Sequence, residues 1–122
     1  MRYNFFHKEI SGIFTIPSGI VATETSVLEK IAREIPEIGI LTTKSIGLEP
    51  REGNKEPIIA EYAPFSFINA VGLANPGVEK FAKKISGIKI PENKFLLISI
   101  FGNSVNEFRK IAEKLYDWAD GF

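Results

Sequence analysis

The stretch TTKSIGLEPREGN, residues 42 to 54, places a lysine and several hydroxyls directly after the apolar run Ile38 to Leu41. In parallel α/β proteins ligands bind beyond the carboxyl ends of the strands, so a cation set where a strand stops is well placed to meet one. Lys44 is a compact point charge that suits a carboxylate, a phosphate or the electron-rich edge of a flavin. With Glu49 close by, the favoured reading of this lysine taken alone is a paired or solvated surface residue. The same strand-end rule selects PSG (17–19), NAVGLANPG (69–77) and FGNS (101–104). NAVGLANPG offers successive backbone N–H groups leading into a helix N-terminus, which is either an anion cradle or a plain helix cap with turn glycines. Taken singly, Ser18, Ser45 and Asn69 are turn or capping residues, and Arg51, Gly53 and Asn54 form a turn with an ion pair to Glu49 or Glu52. His7 falls in an outer hairpin, away from these strand ends, and carries no catalytic assignment.

The elements that must position these groups follow from pattern. RYNFFHKEI reads as a surface strand, SG turns it, and IFTIP follows as an apolar run stopped by Pro17. In SGIVATETSVLEKIAREIP, the residues Val27, Leu28, Ile31, Ala32 and Ile35 share one helical face, with Ser26 and Glu29 as a capping box and Pro36 as the terminator. IGILT has the branched, apolar composition of a strand buried on both faces. From Lys44 to Asn75 periodicity is lost among Pro50, Gly53, Pro57, Pro64 and Gly72, the signature of a long functional loop. Asn75 as cap and Pro76 as first helical residue begin a second helix, whose buried face is Val78, Phe81, Ala82 and Ile85. KFLLISIFG is the clearest strand. A second capping box, Ser104 and Glu107, then opens a helix lined by Val105, Phe108, Ile111, Ala112, Leu115 and Ala119. The alternation is that of a parallel α/β fold with right-handed crossovers.

Composition narrows the classes. The chain has 122 residues, 44% hydrophobic and 25% charged, with a formal net charge of +0 and interspersed signs, which calls for neither nucleic acid nor an anionic membrane. No run of eighteen apolar residues and no leader pattern at Met1 is present, so the expectation is a cytoplasmic protein. The absence of cysteine removes disulfides, thiolate metal sites and a cysteine nucleophile from these residues, and no metal site is expected.

Read together, TIPSG, TTKSIGLEPREGN, FINAVGLANPGVE and ISIFGNS, with ADGF as the opening of a fourth strand, resemble the N-terminal part of the dihydroorotate dehydrogenase family. These are FMN-dependent (β/α)8 barrel enzymes that oxidise dihydroorotate to orotate in pyrimidine biosynthesis. The resemblance implies that residues 1–122 form a single partial domain, the first part of such a TIM barrel behind a leading β-hairpin. It implies FMN contacts for Ser18, Gly19, Lys44 and Ser45, and substrate contacts for Lys44, Asn69, Val71, Gly72 and Leu73. A lysine fixed at the pyrimidine edge of the flavin stabilises negative charge as it develops there. The substrate carboxylate would rest on N–H groups of the VGL turn, with Asn69 pairing to ring amides.

NAVGLANPG is closer to the family branch that works with a separate iron–sulfur flavoprotein subunit than to the branch reading SMGLPN. Where the family often continues GNPxPR, Lys55 and Ile58 stand here in place of the first Pro and the Arg. A barrel of this kind typically needs about 250 residues. In the family the catalytic base, a Cys or Ser, lies in a loop beyond strand four and the flavin phosphate binds loops near the last two strands, so the resemblance implies that both fall beyond Phe122 and that no catalytic residue lies within this chain. Two other readings stand beside this one: a non-catalytic scaffold that covers its open sheet edge by forming a homo-oligomer, and a flavoenzyme for another dihydropyrimidine.

Overall fold

The structure, a computed structural model, describes residues 2–20 and 24–122. Of the segment read as a helix from Ser18 to Pro36, Val21, Ala22 and Thr23 lie outside the described residues. Among the described residues eleven elements follow in chain order. Strands β1 (Tyr3–Phe5) and β2 (Lys8–Ile10) form an antiparallel hairpin. The hairpin thus closes inside RYNFFHKEI, at Phe6 and His7, and not at Ser11–Gly12 as the sequence suggests. Phe6 takes a positive φ of 51° to make that turn.

A three-stranded parallel sheet carries the architecture. Its strands β3 (Phe14–Ile16), β4 (Ile38–Thr42) and β7 (Phe95–Leu97) lie side by side in sequence order. Helix α1 (Thr25–Glu34) connects the first two, and α2 (Val78–Ile85) precedes β7. Helix α3 (Val105–Leu115) and the 3-10 turn Tyr116–Trp118 then lead to Gly121, which forms a parallel bridge to Leu97. Sequential parallel order with a helix between neighbours is the progression of a wound α/β sheet. β7 is shorter than KFLLISIFG suggests. Beyond Leu97 the pairing continues as single contacts, Ile98 N–H to Gly121 O (2.9 Å), Ile46 N–H to Ser99 O (2.9 Å) and Phe101 N–H to Ile46 O (3.1 Å).

All three helices feed one buried cluster. Leu28 and Ala32 from α1, Phe81 and Ile85 from α2, and Ile111 and Leu115 from α3 pack with Leu41, Leu96 and Ile98 of the sheet. Each such fully buried Leu or Ile contributes about 2 kcal/mol. The buried face expected for α2 is the one observed. For α1 and α3 the stripe is narrower than periodicity implies, because Val27 and Ile35 are more than a third exposed and Val105 and Phe108 face solvent.

Capping departs from expectation in a consistent way. α1 begins one residue before Ser26, with Glu24 at the N-cap making no side-chain capping bond and pairing with Lys84 instead, so the Ser26–Glu29 capping box does not form. α2 begins at Val78 behind Gly77 (φ 77°), which leaves Pro76 outside the helix and frees Asn75 for another task. At α3, Ser104 does cap, accepting from Glu107 N–H at 3.3 Å. Glu107 Oε2 accepts from Asn103 N–H at 2.8 Å, one residue short of a reciprocal box.

The stretch from Lys44 to Asn75 is not an aperiodic loop. It contains a hairpin, β5 (Ile59–Ala63) with β6 (Ser66–Asn69), turned at Pro64 and Phe65. Pairing continues below it through Ala70 N–H to Ile58 O, Asn54 N–H to Val71 O and reciprocal bonds between Arg51 and Asn75. The segment is one long antiparallel ribbon rooted at the carboxyl end of β4.

The opposite end of the sheet is closed by the N-terminal hairpin. Phe5 meets Phe95 edge-on (centroids 5.0 Å), and His7 lies 5.8 Å from the same ring. Lys8 Nζ donates to both carboxylate oxygens of Asp120 at 2.7 Å, while Asp120 Oδ2 also accepts from Leu96 N–H. Beside it, the buried Lys94 donates from Nζ to the carbonyls of Ile35 (2.9 Å), Pro36 (3.2 Å) and Ile38 (2.6 Å). Burial pushes this ammonium below its ordinary pKa of 10.5, a shift opposed by the Glu37 carboxylate.

Candidate functional site

At the carboxyl ends of β3 and β4 and along the base of the ribbon lies an open cleft of about 640 Å³. β3 delivers Ser18 and Gly19 to it immediately after Pro17, and β4 delivers Lys44 and Ser45. The ribbon supplies Asn69 at the end of β6, then Val71, Gly72 and Leu73. Every residue singled out for cofactor or substrate contact therefore borders this single cleft. Gly102 to Ser104, at the fourth strand-end position, do not line it. Arg51 makes no ion pair to Glu49 or Glu52, and its main chain pairs with Asn75 instead.

Three hydroxyls join the strand ends. Ser18 Oγ and Ser45 Oγ are 3.2 Å apart, and Ser45 Oγ is 2.8 Å from Ser99 Oγ. Three hydroxyl protons and two mutual hydrogen bonds leave one proton to donate to a ligand. The row is held from beneath, because Ser99 N–H donates to Thr43 Oγ1 at 3.1 Å and Thr43 N–H donates to Leu97 O at 3.0 Å. Lys44 is half-buried and, among the described residues, has no salt-bridge partner, so the pairing to Glu49 that its sequence context allows is not made.

The VGL turn has an unusual backbone. Gly72 (φ 78°) and Leu73 (φ 56°) are both in the left-handed region, which a leucine adopts only at a cost of about 1–3 kcal/mol. Among the described residues no N–H of Val71, Gly72 or Leu73 donates within the chain, whereas the carbonyls of Val71 and Leu73 are both engaged. Unpaired N–H groups beside a lone ammonium and hydroxyl donors make the cleft a set of donors suited to a planar, oxygen-rich anion.

Ser99 and Ile59 complete the surroundings and were not singled out from sequence, and Asn54, read there only as a turn residue, joins them. Ser99 is the one polar residue inside the apolar run 95–101, and that interruption was the available signal. Asn54 lines the cleft and grips the turn, a contact made through space across the ribbon that its local reading as a turn residue does not reveal.

The sequence profile of the family described as dihydroorotate dehydrogenase matches residues 1–122. The catalytic subunit of dihydroorotate dehydrogenase B (NAD(+)) from Pyrococcus abyssi is 38% identical over 100% of the present chain and 39% of its own length. The protein of the same name from Methanocaldococcus jannaschii is 37% identical over 98% of this chain and 39% of its own. That from Pyrococcus horikoshii is 39% identical over 88% and 34% respectively. The present chain spans about two fifths of the length of the first two relatives. With the family profile matching from the first residue to the last, this chain belongs to the dihydroorotate dehydrogenase family.

Proposed function

We propose that residues 1–122 are a single partial domain, the first arc of a (β/α)8 barrel, and that their cleft holds the substrate and the flavin edge of an FMN-dependent oxidoreductase converting dihydroorotate to orotate. The observation that carries this reading is the convergence of Lys44, the Ser18–Ser45 hydroxyls, Asn69 and the unpaired N–H groups of residues 71–73 on one cleft. Sequential parallel order of β3, β4 and β7 supports the barrel arc.

The donor set fits FMN at its pyrimidine edge, with Ser18, Gly19, Lys44 and Ser45 as the residues that would hold it. FMN, when bound, supplies the hydride acceptor. The chain's own groups bind and orient. The Lys44 ammonium balances negative charge on oxygens in the cleft, Asn69 offers both a donor and an acceptor to a cyclic imide, and the VGL amides receive the carboxylate. Ile59 and Leu73 supply apolar walls. We assign no general base within residues 1–122, and removal of the second proton falls to a Cys or Ser elsewhere in the enzyme. The relatives are named as NAD(+)-type catalytic subunits, and we extend that to a separate iron–sulfur flavoprotein subunit as electron acceptor and to work in the cytoplasm. Among the described residues no helix is long and apolar enough to cross a membrane.

A second reading, a self-associating module, is favoured by exposed Phe65, Phe67, Tyr62 and Ile68 on the ribbon and by the unpaired outer edge of β3. Measurement of solution mass separates it from a monomeric arc.

The binding reading is tested by calorimetric titration of the chain with orotate and with uracil, which lacks the carboxylate. Orotate is expected to bind roughly ten- to a hundredfold more tightly, and Lys44→Met to remove most of that advantage. Equal affinity for the two pyrimidines, or an unaffected variant, would contradict it.

A further inference from the structure

We propose that Asn54 and Asn75 are positioning residues that aim the amides of the VGL turn at the substrate carboxylate, an inference that rests on the carboxylate reading of the cleft. Asn54 grips one side of the turn. Its Nδ2 donates to Ala70 O at 2.7 Å and its backbone N–H donates to Val71 O at 3.1 Å. Asn75 grips the other side, with Nδ2 donating to Leu73 O at 2.9 Å.

In a trans peptide the C=O of one residue and the N–H of the next lie in one plane and point in opposite directions. Fixing the carbonyls of Ala70 and Val71 therefore fixes the N–H vectors of Val71 and Gly72, and turns both away from Asn54. Those are two of the three N–H groups in the turn that make no bond among the described residues. The asparagines spend their donors on carbonyls, and the amides are left for a ligand.

Two further observations separate this arrangement from ordinary loop packing. A Cβ at Gly72 would stand 2.9 Å from both N and Nδ2 of Asn54, so the turn can lie against Asn54 only because residue 72 is glycine. Leu73 is held at φ 56° although its side chain is 45% exposed, so burial of that side chain does not account for the strained backbone. Its carbonyl is instead held by Asn75. Asn75 is itself anchored, since Oδ1 accepts from Gly47 N–H (3.2 Å) and Gly77 N–H (2.9 Å). It ties the turn to the end of β4 and to the start of α2 at once, which is the task that displaced it from the capping position.

The test uses the 122-residue chain and two variants, read by amide NMR titration with orotate and, separately, with uracil. Asn54→Ala deletes the exposed grip. Asn75→Ser deletes the donor to Leu73 O without adding a charge beside the turn, and its hydroxyl can still accept from Gly77 N–H. Each variant is expected to bind orotate roughly three- to tenfold more weakly, with uracil affinity unchanged; the orotate-induced shift is reduced chiefly at the Val71 amide in Asn54→Ala, which keeps its backbone bond to Val71 O, and at the Leu73 amide in the Asn75 variant. Variants that melt earlier but bind orotate as the parent does would overturn the positioning role and leave the carboxylate reading standing. Equal weakening toward orotate and uracil would also overturn it, since the effect would then not pass through the carboxylate. A parent chain that shows no preference for orotate over uracil would remove the carboxylate reading, and this inference with it. If Asn54→Ala fails to fold, Asn75→Ser alone decides between these outcomes, and the reverse holds as well.

Discussion

Replacing Lys94 by methionine isolates the contribution of one buried ammonium at the end of the sheet remote from the cleft. Lys94 is 2% exposed, and its Nζ serves the carbonyls of Ile35, Pro36 and Ile38. These three are not equally dependent on it. Ile35 O also accepts from Ile38 N–H at 3.3 Å, and Pro36 O also accepts from Ser11 Oγ at 2.9 Å. The loss in Lys94→Met therefore concentrates on Ile38 O, whose contact of 2.6 Å is the shortest. A hydrogen bond from a charged donor to such a carbonyl contributes about 1.5–3 kcal/mol, and removing a desolvated charge returns part of it. The expected net loss is about 2 kcal/mol, which for a chain of this length lowers Tm by about 8 °C.

The pH dependence carries a sign. Burial holds the folded-state pKa of Lys94 below 10.5, so between that depressed value and 10.5 the unfolded chain binds more protons at this site than the folded one. Stability from this group therefore rises with pH across that window. Thermal melts of parent and variant by circular dichroism, taken from pH 7 upward, should show a gap that widens toward pH 10.5. A variant as stable as the parent, or a gap that narrows with pH, would refute the reasoning.

Two further outcomes are expected from the helix termini and the hydroxyl row. Ser104→Ala removes an N-cap acceptor and should cost about 1 kcal/mol in denaturant melts, whereas Ser26→Ala, inside the first turn of α1 and capping nothing, should be neutral or slightly stabilising. Ser45→Ala breaks both contacts of the Ser18–Ser45–Ser99 row and should cost about 1 kcal/mol while lowering flavin affinity in a fluorescence titration. A stable Ser45→Ala chain with unaltered flavin binding would take the row out of the site.

What could be read from sequence, and what could not, divides along physical lines. The buried face of α2 was readable because Val78, Phe81, Ala82 and Ile85 all turn inward at helical spacing. The ribbon of β5 and β6 escaped because both its faces are largely exposed: without a core on one side, a strand has no alternation to display, and Pro57 and Pro64 read as loop punctuation. Caps were misjudged where a candidate cap had a better partner. Asn75 fits the start of a helix by type, yet three hydrogen bonds from its side chain hold other segments together. The cleft residues on β3, β4 and β6 were found because strand-end position and the ordered family segments name them directly. Asn54 and Ser99 act on those residues across space, so their roles emerged only once the chain was folded.

The central claim is that this cleft receives a pyrimidine carboxylate between Lys44 and the VGL turn. A crystal structure of the chain grown with orotate tests it most directly. The account expects a carboxylate oxygen within about 3 Å of the N–H groups of Val71, Gly72 or Leu73, with the Lys44 ammonium and the Asn69 carboxamide on the same molecule. Orotate bound away from the turn, or with its carboxylate directed to solvent and its ring edge on those amides, would contradict it.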